Sequence, residues 1–292
     1  MGPGEKNGGF VGILLEDSVQ RLVAAGIDDP RRNAEWLLCE ALAVSRAGLY
    51  AASGEWVEPE AVRRFREMLA RRLRREPVQY ILGYVEFMGL RMTVTPDVLI
   101  PRPETEEVVE AALARLGARK TPVILDAGTG SGCIALAIKT ARPDAEVYAC
   151  DVSGSALAVA RRNAAAHDLA VTWIEADMLG EDLPDTIPAG LDLLISNPPY
   201  VPEEEIPTLP EEVRSWEPCA ALIAPGDPLV FYRRLAQHGL RMLREDGWIV
   251  LETHADYGEP VRRILKEAGY AGVCLEKDMA GRDRIVIGRR GG

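Results

Sequence analysis

Apolar residues recur at helical spacing three times in the first 76 residues. Val11, Leu14, Leu15, Val19, Leu22 and Val23 share one face of a helix predicted over 10–25, with Gly26 as its stop. Asp28-Asp29-Pro30 offers an N-cap and a first-turn proline to a second helix carrying Ala34, Trp36, Leu37, Leu38, Ala41 and Leu42. A third starts near Pro59, uses Val62, Phe65, Leu69 and Leu73, and ends before Pro77. The period then changes. Two β-rich runs flank Met88-Gly89 and predict a hairpin within 78–97. From Glu104 onward, strand patterns at 123–126, 147–150, 171–174, 191–196 and 248–252 alternate with helical ones at 104–117, 132–141, 155–167, 228–244 and 257–268. Such alternation predicts an α/β fold, a mostly parallel sheet with helices on both faces. The last runs, 273–276 and 284–287, follow each other without a helix and predict an antiparallel pair at the sheet edge. The plan is a helical domain over 1–76, a β-hairpin linker over 77–100 and an α/β domain over 101–292, with a disordered tip at 1–9.

Composition narrows the class. A chain of 292 residues suits one large domain plus a small one, and 47% hydrophobic with 27% charged residues is globular. The formal net charge of −11 argues against tight binding to naked duplex DNA, which needs a cationic footprint. The third helix and its end concentrate Arg63, Arg64, Arg66, Arg71, Arg72, Arg74 and Arg75 against Glu60, Glu67 and Glu76. That stretch reads either as a partner-facing basic face or as a solvated surface. No apolar run approaches the roughly 18 residues of a membrane span. The first nine residues hold no signal-peptide core, and Lys6 breaks the myristoylation pattern. Cys39, Cys133, Cys150, Cys219 and Cys274 are far apart, with no CxxC, which reads as reduced thiols in the cytoplasm. His167, His238 and His254 lack metal-ligand spacing, so no metal is expected.

The first strand of the α/β part runs into Asp126-Ala127-Gly128-Thr129-Gly130-Ser131-Gly132, and a helix starts at once. Glycines let such a turn approach a ligand closely, and a helix N-terminus offers free N–H groups. The dinucleotide fingerprint fails, because its third glycine position falls on Cys133. The DxGxGxG spacing instead resembles motif I of the S-adenosylmethionine-dependent methyltransferases, a Rossmann-like fold. Asp151 ends the second strand, where a carboxylate can accept both ribose hydroxyls; its alternative use as an N-cap can fall to Ser153.

Asn197-Pro198-Pro199-Tyr200 follows the buried strand 191–196. It reads either as a strand-ending turn or as an acceptor site. The prolines donate no N–H, so the stretch presents carbonyls in a stiff frame, with the Asn oxygen as another acceptor and the Tyr ring as a flat wall. A planar NH2 group is a poor nucleophile. Accepting both its hydrogens, at the Asn197 side chain and the Pro198 carbonyl, would hold the nitrogen for in-line attack on an activated methyl.

Other segments choose among amino-group substrates. Pro77-Val78-Gln79-Tyr80-Ile81-Leu82-Gly83, Pro101-Arg102-Pro103-Glu104-Thr105-Glu106, the glycine loop, Ser196 through Tyr200, Glu212-Val213-Arg214 with Glu217-Pro218, and Gly281-Arg282-Asp283-Arg284 together resemble the HemK family across essentially the whole chain. These are protein-(glutamine-N5) methyltransferases of peptide chain release factors. The resemblance implies S-adenosylmethionine held by Gly128, Thr129, Gly130, Ser131, Gly132 and Asp151, with Met178 over the adenine and Asn197 touching both cofactor and substrate. It implies the glutamine of the GGQ loop of class I release factors as substrate, lined by Asn197, Pro198, Pro199 and Tyr200, with Asn197, Pro198 and Tyr200 catalytic. Relatives often place an aromatic at the Met178 position, and Glu252-Thr253-His254-Ala255 departs from the usual Glu-x-Gly; His254 is read as a surface or cap residue. The segment 101–106 is either a helix start capped by Thr105 and its acids or a contact through Arg102 or Glu104. The acidic stretch 203–217 is read as a solvated loop, a candidate lid or partner contact. A monomer is the working state. The competing reading is a nucleic-acid amino-methyltransferase of the adenine N6 type, which the arginine-rich helix favours and the acidic balance opposes. A non-catalytic binding module would not need an intact loop, acid and acceptor motif.

Overall fold

Separate hydrophobic cores divide the chain. The computed structural model describes residues 9–181 and 183–292, so the tip expected at 1–9 lies, apart from Gly9, outside the described residues. One unit comprises Met1–Gly83 with Pro210–Trp216, the other Tyr84–Leu209 with Glu217–Gly292.

In the first unit β1 (Gly9–Phe10), α1 (Val11–Ala24), α2 (Pro30–Leu42), α3 (Arg46–Ala51), β2 (Trp56–Val57), α4 (Pro59–Leu73) and α5 (Val78–Leu82) follow in order. Leu14, Leu22, Leu37, Leu38, Phe65 and Leu69 are among the residues filling its core, on the faces that the helical spacing marks, whereas Val23 and Trp36, counted on the same faces, are exposed. Residues 78–82, read from sequence as part of the hairpin linker, are helical instead. Pro77 stands at the N-cap and Gly83, with φ +82°, closes the turn. Asp29 makes no side-chain cap to α2; Asn33 reaches back, its Nδ2 donating to the Asp28 and Asp29 carbonyls at 3.0 Å each. The arginines of α4 and its end divide: Arg63, Arg66 and Arg74 are exposed, while others bind within the unit. Arg64 donates to the Ala41 carbonyl, Arg71 pairs with Glu76, and Arg75 donates to the Ala25 and Gly26 carbonyls. Buried Arg72 bonds Asn33 Oδ1 at 2.7 Å and Glu212 at 2.7 Å, which binds the 210–216 segment into this unit.

The second unit opens with the hairpin β3 (Tyr84–Phe87) and β4 (Leu90–Thr93), paired antiparallel around Met88-Gly89. Then come α6 (Pro103–Leu116), β5 (Val123–Ala127), α7 (Cys133–Ala141), β6 (Glu146–Asp151), α8 (Gly154–Ala166), β7 (Thr172–Glu175) and β8 (Leu191–Ser196). After α9 (Glu211–Trp216), which belongs to the first unit, follow α10 (Val230–Met242), β9 (Leu243–Glu252), α11 (Gly258–Glu267), β10 (Ala271–Lys277) and β11 (Asp283–Arg289). Seven strands form one sheet in the order β10-β11-β9-β8-β5-β6-β7. The run from β9 to β7 is parallel, and β11 is antiparallel to both β9 and β10, so the pair closes one edge with β10 outermost. Strand residues alternate between two core layers. Ile124, Leu193 and Val250 pack with Val108 and Ile134 on one face; Leu125, Leu194 and Leu251 pack with Tyr232, Leu235 and Leu265 on the other.

Strand order reverses between β5 and β8. From β5 the chain builds outward to β6 and β7, then returns to β8 and β9 on the opposite side. Open α/β sheets take ligands in the crevice outside the carboxyl ends of strands at such a reversal.

Candidate active site

The turn after β5 occupies one side of that crevice. Gly128 has φ +74°, which favours glycine, and a Cβ there would lie 2.5 Å from Met178 Cε, the flexible end of that side chain, which would have to move aside. Gly130, at φ +53°, would meet nothing within 4 Å; the loop is open there. The Gly128 and Thr129 amides donate to the Cys150 carbonyl at 2.8 and 3.0 Å, and the Gly130 amide donates to Asp151 Oδ2 at 2.8 Å. Asp151 Oδ1 accepts from the Ser153 amide at 2.9 Å, while Ser153 itself caps α8 through Ala156 at 3.2 Å. Burial raises the Asp151 carboxyl above its usual range, against the pull of these amides. A carboxylate offers about four lone-pair positions, so Asp151 keeps acceptor capacity for a ligand hydroxyl beyond these amides. Beside it Val152 is an exposed apolar residue.

The side chains of Thr129 and Ser131 face inward. The Thr129 hydroxyl donates to Asp126 Oδ2 at 2.6 Å, and the buried Ser131 hydroxyl has no partner among the described residues. Asp126 also accepts from the Ala135 amide at 3.1 Å, pinning the first turn of α7 to the end of β5. Its other oxygen is unpartnered, and burial pushes its carboxyl up to about 7. Asn163 of α8 donates to the Ser131 carbonyl at 2.9 Å and exchanges bonds with both backbone groups of Thr93, joining the hairpin to the loop.

Across the crevice, β8 is buried along its whole length and delivers Asn197. The Ser196 hydroxyl donates to the Ala127 carbonyl at 2.6 Å, locking the two strand ends together. Pro198 and Pro199 are buried, and Asn197 and Tyr200 are partly exposed. Val201 then bonds Leu222 and Ala224 at 2.9 and 3.1 Å, so the motif is anchored at both ends. Asn197 Nδ2 donates to Thr105 Oγ1 at 3.3 Å, and the Thr105 hydroxyl donates to Glu252 Oε2 at 2.7 Å. Glu252 closes β9 fully buried; burial pushes its carboxyl up to about 7, and its Oε1 has no partner among the described residues. Burial also lifts the Tyr200 phenol to about 12, so it stays protonated near neutrality.

Several expectations change here. Thr105 does not cap α6, because its hydroxyl is given to Glu252 and the N-cap Arg102 makes no side-chain cap. Arg102 pairs at 2.5 Å with buried Glu217, which also accepts from the Ile100 amide at 3.2 Å. Glu104 acts electrostatically on Tyr200, Glu252 and Arg284. His254 accepts from the Asp256 amide at 3.3 Å as a cap, and its ring centre lies 5.9 Å from that of Tyr200. The stretch 203–217 is not a bare loop; it holds the 3-10 turn Glu203–Thr208 and α9. The sequence places Thr105, Glu217, Glu252 and Arg284 in motif segments but does not show that they bond one another or the site. One signal was present: Glu252 ends the apolar run Ile249-Val250-Leu251, a charge closing a strand that burial on both faces would otherwise keep apolar.

Comparison with known proteins bears on the chemistry. A family profile described as the PrmC N-terminal domain matches residues 14–83, and one described as the methyltransferase small domain matches residues 108–210. A protein named release factor glutamine methyltransferase from Geobacter sulfurreducens is 41% identical over 270 residues, covering 92% of this chain and 93% of its own. One of the same name from Cereibacter sphaeroides is 43% identical over 275 residues, covering 94% and 96%. Among solved structures, a methyltransferase from Pyrococcus furiosus matches with a TM-score of 0.52 at 19% identity, over 70% of this chain and 90% of that one, a likeness of fold.

Proposed function

The chain belongs to the release factor glutamine methyltransferase family, and we propose that it methylates the N5 nitrogen of the glutamine in the GGQ loop of class I release factors. S-adenosylmethionine is the methyl donor, and when bound it supplies an electrophilic methyl on a positively charged sulfur. The glycine loop and Asp151 fit its nucleoside: open space at Gly130, acceptor capacity left on the Asp151 carboxylate, and apolar Val152 and Met178 beside them. Asn197 Oδ1 and the Pro198 carbonyl would accept the two amide hydrogens of the glutamine, and Pro199 and Tyr200 would wall the slot, orienting the nitrogen for transfer. As the new N–C bond forms, the nitrogen becomes acidic and loses its proton to water. Tyr200 keeps its own proton and takes no part as a base.

One observation carries the reading: the ligand loop after β5 and the acceptor rim after β8 are fastened side by side at the strand-order reversal by Ser196 and Ala127. The test supplies labelled S-adenosylmethionine with a release factor, with the same factor changed from GGQ to GGA, and with adenine-rich DNA. Label enters only the intact factor, and Asn197→Ala reduces that incorporation by about 100-fold or more, as loss of an oriented acceptor does. Label on the DNA, or undiminished label on the GGA protein, overturns the assignment. No helix among the described residues is long and apolar enough to cross a membrane; the widely spaced free cysteines support a cytoplasmic site of action.

A further inference from the structure

A carboxylate buried without a charged hydrogen-bonding partner is expensive to keep, and Glu252 is one. Arg284 is near enough to act on it electrostatically, but the guanidinium hydrogens with described partners go to Asp278 at 3.2 Å and the Thr253 carbonyl at 3.0 Å. Glu252 Oε2 accepts from Thr105 and Oε1 accepts from nothing among the described residues. The cost calls for a use.

The direction of the hydrogen bonds supplies one. An ionised carboxylate has no hydrogen to give, so the single hydrogen of the Thr105 hydroxyl must point at Glu252. Thr105 Oγ1 then has only lone pairs to offer its other neighbour, Asn197. An amide facing a pure acceptor must present its NH2 side, which leaves its carbonyl oxygen turned the other way. Without the charge, the hydroxyl can rotate and donate to Asn197 instead, and the amide can flip with little penalty. A flipped Asn197 would offer hydrogens to a substrate NH2 that needs acceptors.

We propose that Glu252 is a positioning residue acting through Thr105, fixing which face of the Asn197 amide meets the substrate. The proposal rests on the reading of Asn197 as the acceptor of the glutamine amide. The relay spans three elements: Thr105 comes from α6, Asn197 from the end of β8 and Glu252 from the end of β9. Neither Thr105 nor Glu252 needs to touch the substrate. Burial places the Glu252 carboxyl at about 7, with Glu104 raising it and Arg102 and Arg284 lowering it, so assays at about pH 8.5 keep it ionised.

The test compares Thr105→Val, Thr105→Ser, Glu252→Gln and Asn197→Ala in steady-state methylation of a release factor, with melting temperatures alongside. Thr105→Val removes the hydroxyl at nearly constant shape, and Thr105→Ser restores it. Thr105→Val and Glu252→Gln lower kcat by about ten-fold or more while KM for S-adenosylmethionine stays within about two-fold, and Thr105→Ser recovers most of the rate. In the Asn197→Ala background Glu252→Gln adds no further loss, since it works through the residue already removed. Wild-type kcat in Thr105→Val with Asn197→Ala inactive overturns the relay and leaves the role of Asn197 standing. Losses that multiply in the double variant also overturn it. Wild-type turnover in Asn197→Ala overturns the underlying reading, and the relay with it. If Glu252→Gln does not fold, the Val and Ser pair at position 105 decides.

Discussion

A single methyl group at the mouth of the glycine loop separates two glycines that look alike in sequence. Gly128 and Gly130 both have positive φ, yet an added Cβ meets Met178 Cε at 2.5 Å at position 128 and nothing within 4 Å at position 130. Gly130→Ala therefore carries only backbone strain, about 1 kcal/mol. Gly128→Ala adds a contact to which the flexible Cε end of Met178 must yield, although the Met178 carbonyl, 3.2 Å from the ring of buried His238, stays in place. In calorimetric titration Gly128→Ala loses more affinity for S-adenosylmethionine than Gly130→Ala, because Met178 is displaced beside the loop, while thermal unfolding separates the two little. Equal losses in both variants would mean that Met178 does not define the turn. The alternating pattern of the loop announces tight turning, but which glycine is crowded depends on Met178, fifty residues further along the chain.

At the level of elements, what the sequence reveals depends on whether the relevant residues are neighbours along the chain. The strand at 123–126 is found as Val123–Ala127, and the helix at 155–167 as Gly154–Ala166, because burial on both faces and helical periodicity leave local patterns. The six-residue α3 and five-residue α5 are too short for a period to show. The strand read at 248–252 begins at Leu243, since the polar run Arg244-Glu245-Asp246 imitates a turn while the backbone keeps pairing through an irregularity. Asn197-Pro198-Pro199-Tyr200 stands out for the same reason, being four consecutive residues. The Thr105 to Glu252 bond is not, because its ends lie 147 residues apart. The link between Glu217 and Arg102 is likewise invisible in the sequence, and it fixes the point where the 203–217 stretch returns to the sheet domain. Glu217→Ala leaves the Ile100 amide without its acceptor, a loss of roughly 1–3 kcal/mol. Thermal unfolding shows that loss in Glu217→Ala while Glu217→Gln stays closer to wild type; an unchanged melting temperature would show that this pair does not hold the turn at Ile100.

For the whole molecule, the site is bought with stability, and the exchange has a sign. Asp126 and Glu252 sit fully buried at the carboxyl ends of β5 and β9, each with an oxygen that nothing among the described residues satisfies. Burial holds both carboxyls at about 7 in the folded chain, against 3.8 and 4.5 for the ordinary groups. As pH rises from about 4 toward 7, the unfolded chain releases these protons first while the folded chain still holds them. The unfolded state therefore binds fewer protons across this window, and unfolding free energy falls with rising pH. Other carboxylates that are bonded in the native state, such as Asp278 beside Arg284, push the opposite way, so the informative quantity is a difference between variants. Asp126→Asn removes one titrating group whatever its constant effect on stability. Urea unfolding at intervals between about pH 4 and pH 8 should show the variant gaining on wild type as pH rises through the window, and running parallel to it above about pH 8. Parallel curves throughout would mean that Asp126 ionises normally in the folded protein, through solvent or a partner not seen in the buried pocket. A gain confined to the window would mean that the glycine loop after β5 is held by an acid the fold would be more stable without, the usual relation between a functional site and its scaffold.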